Sequence, residues 1–206
     1  MIKVSVLIPV WNQETLVLKA LDHIPRRDDI EVIVRDDGST DNTLANLYAY
    51  KDAHPELNLT ITRNEENHGL YYTSNRLLES AHGEYFQMHN SDDYVLTDVY
   101  NELVDQLDGS MDILAMDLRV NNGDVWPVNE KTNRIHCAQV MRFIKRSFVE
   151  GMKWNENMKA AADWYFAEEM LTRNPVTVFS HKVCYMYNFP REGSLVDLRT
   201  KGIIGE

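Results

Sequence analysis

The sequence predicts an α/β fold in a single domain, with a mostly parallel sheet flanked by helices. Three observations carry this expectation. Short β-branched, apolar runs alternate with longer amphipathic segments, the pattern of βαβ units. The first runs are apolar on both sides, as strands covered on two faces must be. With 206 residues, 44% of them hydrophobic and 26% charged, the chain can bury one substantial core.

The elements follow in order. Residues 3–8, KVSVLI, form a buried strand that Pro9 stops. Residues 13–22 carry Leu16, Val17, Ala20 and Leu21 at helical spacing. Residues 30–35, IEVIVR, are a second strand, and 39–52 a helix with Ser39 or Thr40 as its N-cap. LNLTIT at 57–62 is a shorter strand, 70–81 a helix ended by Gly83, 84–89 a fourth strand and 97–107 the next helix. After residue 110 the rhythm loosens. DILAMDLRV is a strand, NNGD a tight turn and VWPV its hairpin partner. Residues 136–148 and about 158–172 read as helices, VTVF and VCYMYNF as two strands, and the segment from Pro190 as loop or tail.

Composition narrows the functional classes. The net charge is −11, with 21 Lys and Arg against 32 acids, so no broad nucleic-acid surface is expected. No apolar run approaches the roughly 20 residues that span a bilayer. The N-terminus reads as a first strand rather than a signal peptide. Cys137 and Cys184 lack metal-type spacing and read as reduced, buried thiols. A cytoplasmic location is expected, with no more than peripheral contact at the inner face of a membrane.

In a parallel sheet, ligands bind beyond the carboxyl ends of the strands. Three strands here end in polar clusters: PVWN, RDDGSTDNT and HNSDDY. Each has a plain alternative as a strand stop, a turn with a helix cap, or a turn. A cap needs one Asp, however, and the second cluster has three, at 36, 37 and 41. Adjacent carboxylates such as Asp92 and Asp93 repel unless a cation offsets their charge. NHGL at 67–70 brings a glycine through which backbone can approach a ligand.

VSVLIPVWN, EVIVRDDGSTDNT, NHGLYYTSN and GEYFQMHNSDDYV, in that order and spacing, resemble the family 2 glycosyltransferases of the GT-A fold. The likeness is strong over residues 2–100 and weaker through AADWYF at 161–166 and YNFPREGSL at 187–195. It implies a GT-A-type, Rossmann-like domain over 1–206, with residues 1–95 holding the nucleotide sugar and 96–206 forming the acceptor side. It also implies roles. Pro9, Val10, Trp11 and Asn12 line the nucleotide pocket, with Trp11 against the base. Asp37 accepts from a uracil-like ring nitrogen, with Asp36 nearby. Asn67, Gly69, Asn75 and Ser91 join the nucleotide site. Asp92 and Asp93 hold Mn²⁺ or Mg²⁺, and Asp92 also faces the nucleotide. Arg191 and Ser194 fold over the diphosphate, and Asp163 is the catalytic base.

Three positions depart from the family pattern: Asn90 replaces an acid, Ser74 a basic residue and Ala162 an acid. The activity implied is inverting transfer from a nucleotide sugar, a UDP-sugar first among donors, to a saccharide or glycolipid acceptor such as a growing bacterial polysaccharide. The chain is short for the family, which suits a small or partner-presented acceptor. The alternative, favoured by Asn90 and Ser74, is a nucleotide-sugar-binding module without turnover.

Overall fold

The computed structural model describes residues 1–128, 139–192, 197 and 201. Cys137 and Ser194 lie outside the described residues. The first half alternates as expected: β1 (Val4–Val10), α1 (Leu16–Asp22), β2 (Ile30–Asp36), α2 (Thr43–Ala53), β3 (Leu59–Arg63), α3 (Leu70–Glu79) and β4 (Tyr85–Met88). The second half holds β5 (Tyr94–Val95), α4 (Thr97–Gln106), β6 (Ile113–Val120), β7 (Val125–Trp126), β8 (Arg142–Lys145), a 3-10 turn (Arg146–Val149), α5 (Ala162–Thr172) and β9 (Thr177–Tyr187).

One sheet takes these strands in the order β3-β2-β1-β4-β8-β6-β9-β5, with β7 paired to β6. β1 runs parallel to β2 and β4, and β2 to β3. β8 is antiparallel to both β4 and β6, so β6 points the same way as β4, and β9 lies parallel to β6. Six strands therefore share one direction and end at one edge. The short strands β5, β7 and β8 run against them.

Side-chain alternation divides the core between two faces. Val4, Val6, Ile8 and Val10 of β1 pack with Val17, Leu47 and Leu103 of α1, α2 and α4. Leu7, Ile33 and Phe86 face the other way, onto Tyr71, Leu77, Phe166 and Met170 of α3 and α5. Each of these buried apolar side chains contributes about 1.5–3 kcal/mol. The sheet also curls. β5 lies at its far edge beside β9, yet Tyr94 meets His23, next to α1, with ring centroids 4.6 Å apart.

Three local expectations are corrected. Residues 142–145 are a strand, not part of a helix, because both neighbours supply a ladder: Ile144 pairs with Phe86 and with Ile113. VTVF and VCYMYNF belong to one strand, β9, whose register against β6 shifts near Asp117 while His181 takes φ +52°. The cap of α2 is Asn42; the Ser39 hydroxyl is used instead as acceptor for the Asn12 N–H at 2.9 Å. The NNGD turn and its hairpin form as expected, with the Gly123 N–H donating to Val120 O at 2.9 Å.

Candidate active site

The carboxyl ends of β1, β2 and β4 lie side by side, so the three polar clusters do converge. Asn12, at φ +50°, ties the first to the second: its Oδ1 accepts from the Thr40 N–H at 2.9 Å. Asp37 ties the second to the 64–69 loop. Its Oδ1 accepts from Asn64 Nδ2 at 2.7 Å and from the His68 N–H at 3.0 Å, and its Oδ2 from the Gly69 N–H at 2.8 Å. Gly38, at φ +71°, lets this loop close, since a Cβ there would lie 2.5 Å from the carbonyl carbon of Glu66. Asn67 is exposed on this loop, and Gly69, at φ +89°, has open space where a Cβ would stand.

Trp11 stands at the rim, 49% exposed, able to present a ring face to a planar ligand. Pro9 is half-buried within β1. Two of the residues assigned to the nucleotide have their side chains elsewhere. Val10 is a core residue, and only its carbonyl reaches this edge, accepting from the Asp37 N–H at 2.8 Å. Asn75 is a buried strut between α3 and the 154–156 segment: its Nδ2 donates to Trp154 O and Glu156 Oε1, and its Oδ1 accepts from the Trp154 N–H. Asp36 is at the site but closed. It is fully buried, accepts from the Ser39 N–H and lies 3.3 Å from Arg63 Nε.

The HNSDDY turn treats its two carboxylates differently. Asp93 is 2% exposed. Its Oδ2 accepts from Tyr185 Oη and from Asn90 Nδ2, each at 2.8 Å, and its Oδ1 from the Asn188 N–H at 2.8 Å. Burial, then the charge of Asp92, push its carboxyl up to about 7. Asp92 keeps a partly exposed carboxylate whose Oδ2 accepts from Arg191 Nε at 2.8 Å. Ser91 is buried between them and the strand. His89 is buried too, and its Nδ1–H donates to Asn90 O at 2.8 Å, leaving Nε2 without a partner. Desolvation holds its imidazole down, to about 4. Tyr185, Asn188 and Asn64 were not legible as site residues. The signal available was their position at or beside the carboxyl ends of strands.

Asp163 sits in the first turn of α5, and Tyr71 Oη donates to its Oδ1 at 3.4 Å. The N-cap is Ala161, at φ +61°, so Asp163 is not the cap of its helix. The α3–α5 face therefore carries this carboxylate, while the cleft loops carry Trp11, Asp37, Asp92 and Arg191.

As a cation site the turn supplies less than expected. The carboxylate of Asp93 accepts from three protein donors, so Asp92 is the less engaged of the two. Asp92 retains Oδ1. Among the described residues no group of three or more His, Cys, Asp or Glu side chains could by itself hold a metal. One carboxylate still suits Mg²⁺ or Mn²⁺ where substrate phosphates complete the shell. Asp92 fits that role. Among the described residues no helix is long and apolar enough to cross a membrane.

The chain is similar to known proteins along most of its length. It is 25% identical over 199 residues to chondroitin synthase of Escherichia coli, covering 88% of this chain and 28% of that protein. It is 27% identical over 215 residues to the poly(ribitol-phosphate) beta-N-acetylglucosaminyltransferase TarS of Staphylococcus aureus, covering 94% of this chain and 36% of that protein. It thus spans about a third of the length of these relatives. The crystal structure of S. aureus TarS 1–349 in complex with UDP-GlcNAc superposes with a TM-score of 0.79 at 24% identity, covering 94% of this chain and 60% of that one. The mannosyltransferase PcManGT of Pyrobaculum calidifontis, in complex with GDP-Man and Mn²⁺, superposes at 0.72 with 22% identity, covering 99% and 65%. These likenesses establish the GT-A fold. The model of glycosyl transferase family 2 matches residues 5–189, and the chain belongs to that family.

Proposed function

We propose that the chain is an inverting, metal-assisted glycosyltransferase domain that moves a sugar from a UDP-sugar to a hydroxyl of a bacterial polysaccharide or glycolipid. One observation carries the reading: three polar strand ends meet at one sheet edge. Asp163 is not spent as a helix cap and accepts from Tyr71, near the start of α3. Residues 1–95 hold the nucleotide sugar and 96–206 form the acceptor side. The relatives support the donor class, since TarS binds UDP-GlcNAc and acts on poly(ribitol-phosphate).

The chemistry follows from the side chains. Trp11 offers a face to the base. Asp37 Oδ2 accepts one protein hydrogen bond and so keeps a lone pair for a base N–H. Asn12, Asn67 and Gly69 shape the pocket, and Arg191 brings positive charge beside Asp92 to the diphosphate end. Mn²⁺ or Mg²⁺ held by Asp92 would supply charge stabilisation for the leaving diphosphate. Asp163 takes the proton of the attacking hydroxyl, and Tyr71 Oη, donating to Oδ1, orients the carboxylate. One base opposite the leaving group gives a single displacement, hence inversion.

A second reading rests on the Asn90–Asp93 hydrogen bond, which reduces the metal set to one carboxylate: a nucleotide-sugar-binding module without turnover. A thermal-shift screen of nucleotide sugars followed by transfer assays with Mn²⁺ or EDTA separates the two. Transfer supported by Mn²⁺ establishes the enzyme. Binding without transfer from any donor, with or without metal, leaves the module.

A further inference from the structure

Arg142 is a large cost in the fold that the proposed chemistry does not use. It opens β8, with the residue 2% exposed and Nε lacking any hydrogen-bond partner. β8 runs against β4, so its first residue lies at the ligand edge of the sheet. Along β8, Phe143 packs on the α1–α2–α4 face and Ile144 on the α3–α5 face. Arg142 shares the parity of Ile144, so it points to the side of Tyr71 and Asp163. Among the described residues no hydrogen bond or ion pair satisfies it. Burial draws its basicity down, to about 10, and Asp163, acting through space, opposes that shift.

A buried, unpaired guanidinium costs several kcal/mol, and proteins do not ordinarily leave one without hydrogen bonds. Among the described residues no hydrogen bond joins the Asp163 carboxylate to it, so Nε–H stays available on the face of the sheet that carries Asp163. A planar fork in a water-poor site matches a carboxylate or a phosphate better than it matches a hydroxyl. The diphosphate end of the cleft already has a cation in Arg191, on Asp92.

We propose that Arg142 is the receptor for an anionic group, carboxylate or phosphate, carried by the saccharide that lies beside Asp163, and so makes this a transferase for acidic sugars. The inference rests on the glycosyltransferase reading for the identity of that saccharide. It adds a specificity determinant that the reaction itself does not require. The anion can belong to the transferred sugar or to the acceptor, and the two sources are separable.

The test uses the whole chain. Ligand-observed NMR titrations compare UDP-glucuronate with UDP-glucose in one arm. In the other they compare methyl β-glucuronide and glycerol 3-phosphate with methyl β-glucoside, with and without UDP. The expected result is at least a tenfold preference for the anionic member in one arm, and that arm says whether donor or acceptor carries the group. Arg142→Met should abolish the preference while UDP binds as before and Tm stays level or rises, because an unpaired buried charge is removed. Arg142→Lys should keep part of the preference. Equal binding of anionic and neutral partners in both arms overturns the proposal, as does a preference that survives Arg142→Met. A fall in Tm with loss of UDP binding in Arg142→Met makes the residue structural and overturns it too. Failure of the wild-type chain to bind UDP would strike the glycosyltransferase reading instead, and the saccharide arm without UDP would still report on Arg142.

Discussion

Two Asp–Asp pairs close β2 and β4, the strands on either side of β1, and the protein treats them differently. At β2, both carboxylates fasten the chain: Asp36 holds Arg63 and the Ser39 amide, and Asp37 holds Asn64 and the amides of His68 and Gly69, with only one of these bonds on its Oδ2. Beyond β4, Asp93 is consumed by Tyr185, Asn90 and the Asn188 amide, while Asp92 meets one cation at the surface. Adjacent residues in extended chain point to opposite sides, so a pair of like charges need not share one environment. An acidic dipeptide at a strand end can thus be two fasteners, as at β2, or a fastener and a surface contact, as beyond β4, and sequence alone does not say which.

The largest effects should come from cutting the fasteners. Asp93→Ala strands three donors in a buried place, and Asp37→Ala releases the 64–69 loop. Each should cost about 3 kcal/mol or more, on the scale of a broken buried charged network. Asp92→Ala should cost less than about 1 kcal/mol, as an ion pair near the surface does. Chemical denaturation of the three variants checks the ranking, and equal losses at 92 and 93 would erase the contrast between them.

Asp163 sharpens the comparison because it is in neither class. Asp163→Asn keeps the shape and should lower transfer by about 10²–10⁴-fold with Tm and UDP affinity nearly unchanged. Near-normal turnover would move the base elsewhere, with Glu168 and Glu169 next to be tried. A smaller effect is expected at Asp92. Calorimetry should show UDP binding tightened by Mn²⁺, by about tenfold if one charge-assisted contact is gained. Asp92→Asn should remove that gain, whereas equal affinity in EDTA and Mn²⁺ would leave Asp92 as a partner of Arg191 only.

The last contrast is a pair of opposed pH slopes, which cancel in the unaltered protein. The carboxyl of Asp93 is raised from 3.8 to about 7, so its contribution to stability is present in acid and lost as pH rises through 7. The imidazole of His89 is lowered from 6.5 to about 4, so its contribution is present above 6.5 and lost as pH falls toward 4. Over pH 4–6.5 the two oppose each other. Asp93→Asn should therefore unmask a loss of up to about 1.4 kcal/mol per pH unit on acidification. His89→Phe should unmask the reverse. Parallel slopes in the two variants would show that the two groups do not titrate as assigned.

The first half of the fold was legible because each strand is apolar through its length and each helix carries its own apolar stripe. So was the convergence of PVWN, DDGST and HNSDDY, which follows from parallel strands alone. Residues 142–145 were not legible: RFIK is too short to show a period, and its ladders come from β4 and β6, far away in sequence. The polar Ser180-His181-Lys182 stretch hid the continuity of β9, since a bulge carries the strand through a polar patch. Val10 and Asn75 were placed at the nucleotide by position in the chain, but position does not fix the direction of a side chain. Arg142 escaped notice because an arginine in an apparent helix reads as solvent-facing.

The fastening of Asp93 also sets an order of events during synthesis. Tyr185 follows it by 92 residues, roughly 5–20 s at ordinary elongation rates. Throughout that interval the nascent chain can form β1 to β4, with local sequence separations between them, but Asp93 has only the Asn90 side chain of its own turn as a donor and lacks the other two. The cleft is completed last, when the strand ending at Tyr187 docks and delivers Asn188 and Arg191 together. A chain stalled or clipped before that strand would keep the β1–β4 sheet and lack the Tyr185 and Asn188 donors to Asp93 and the Arg191 partner of Asp92.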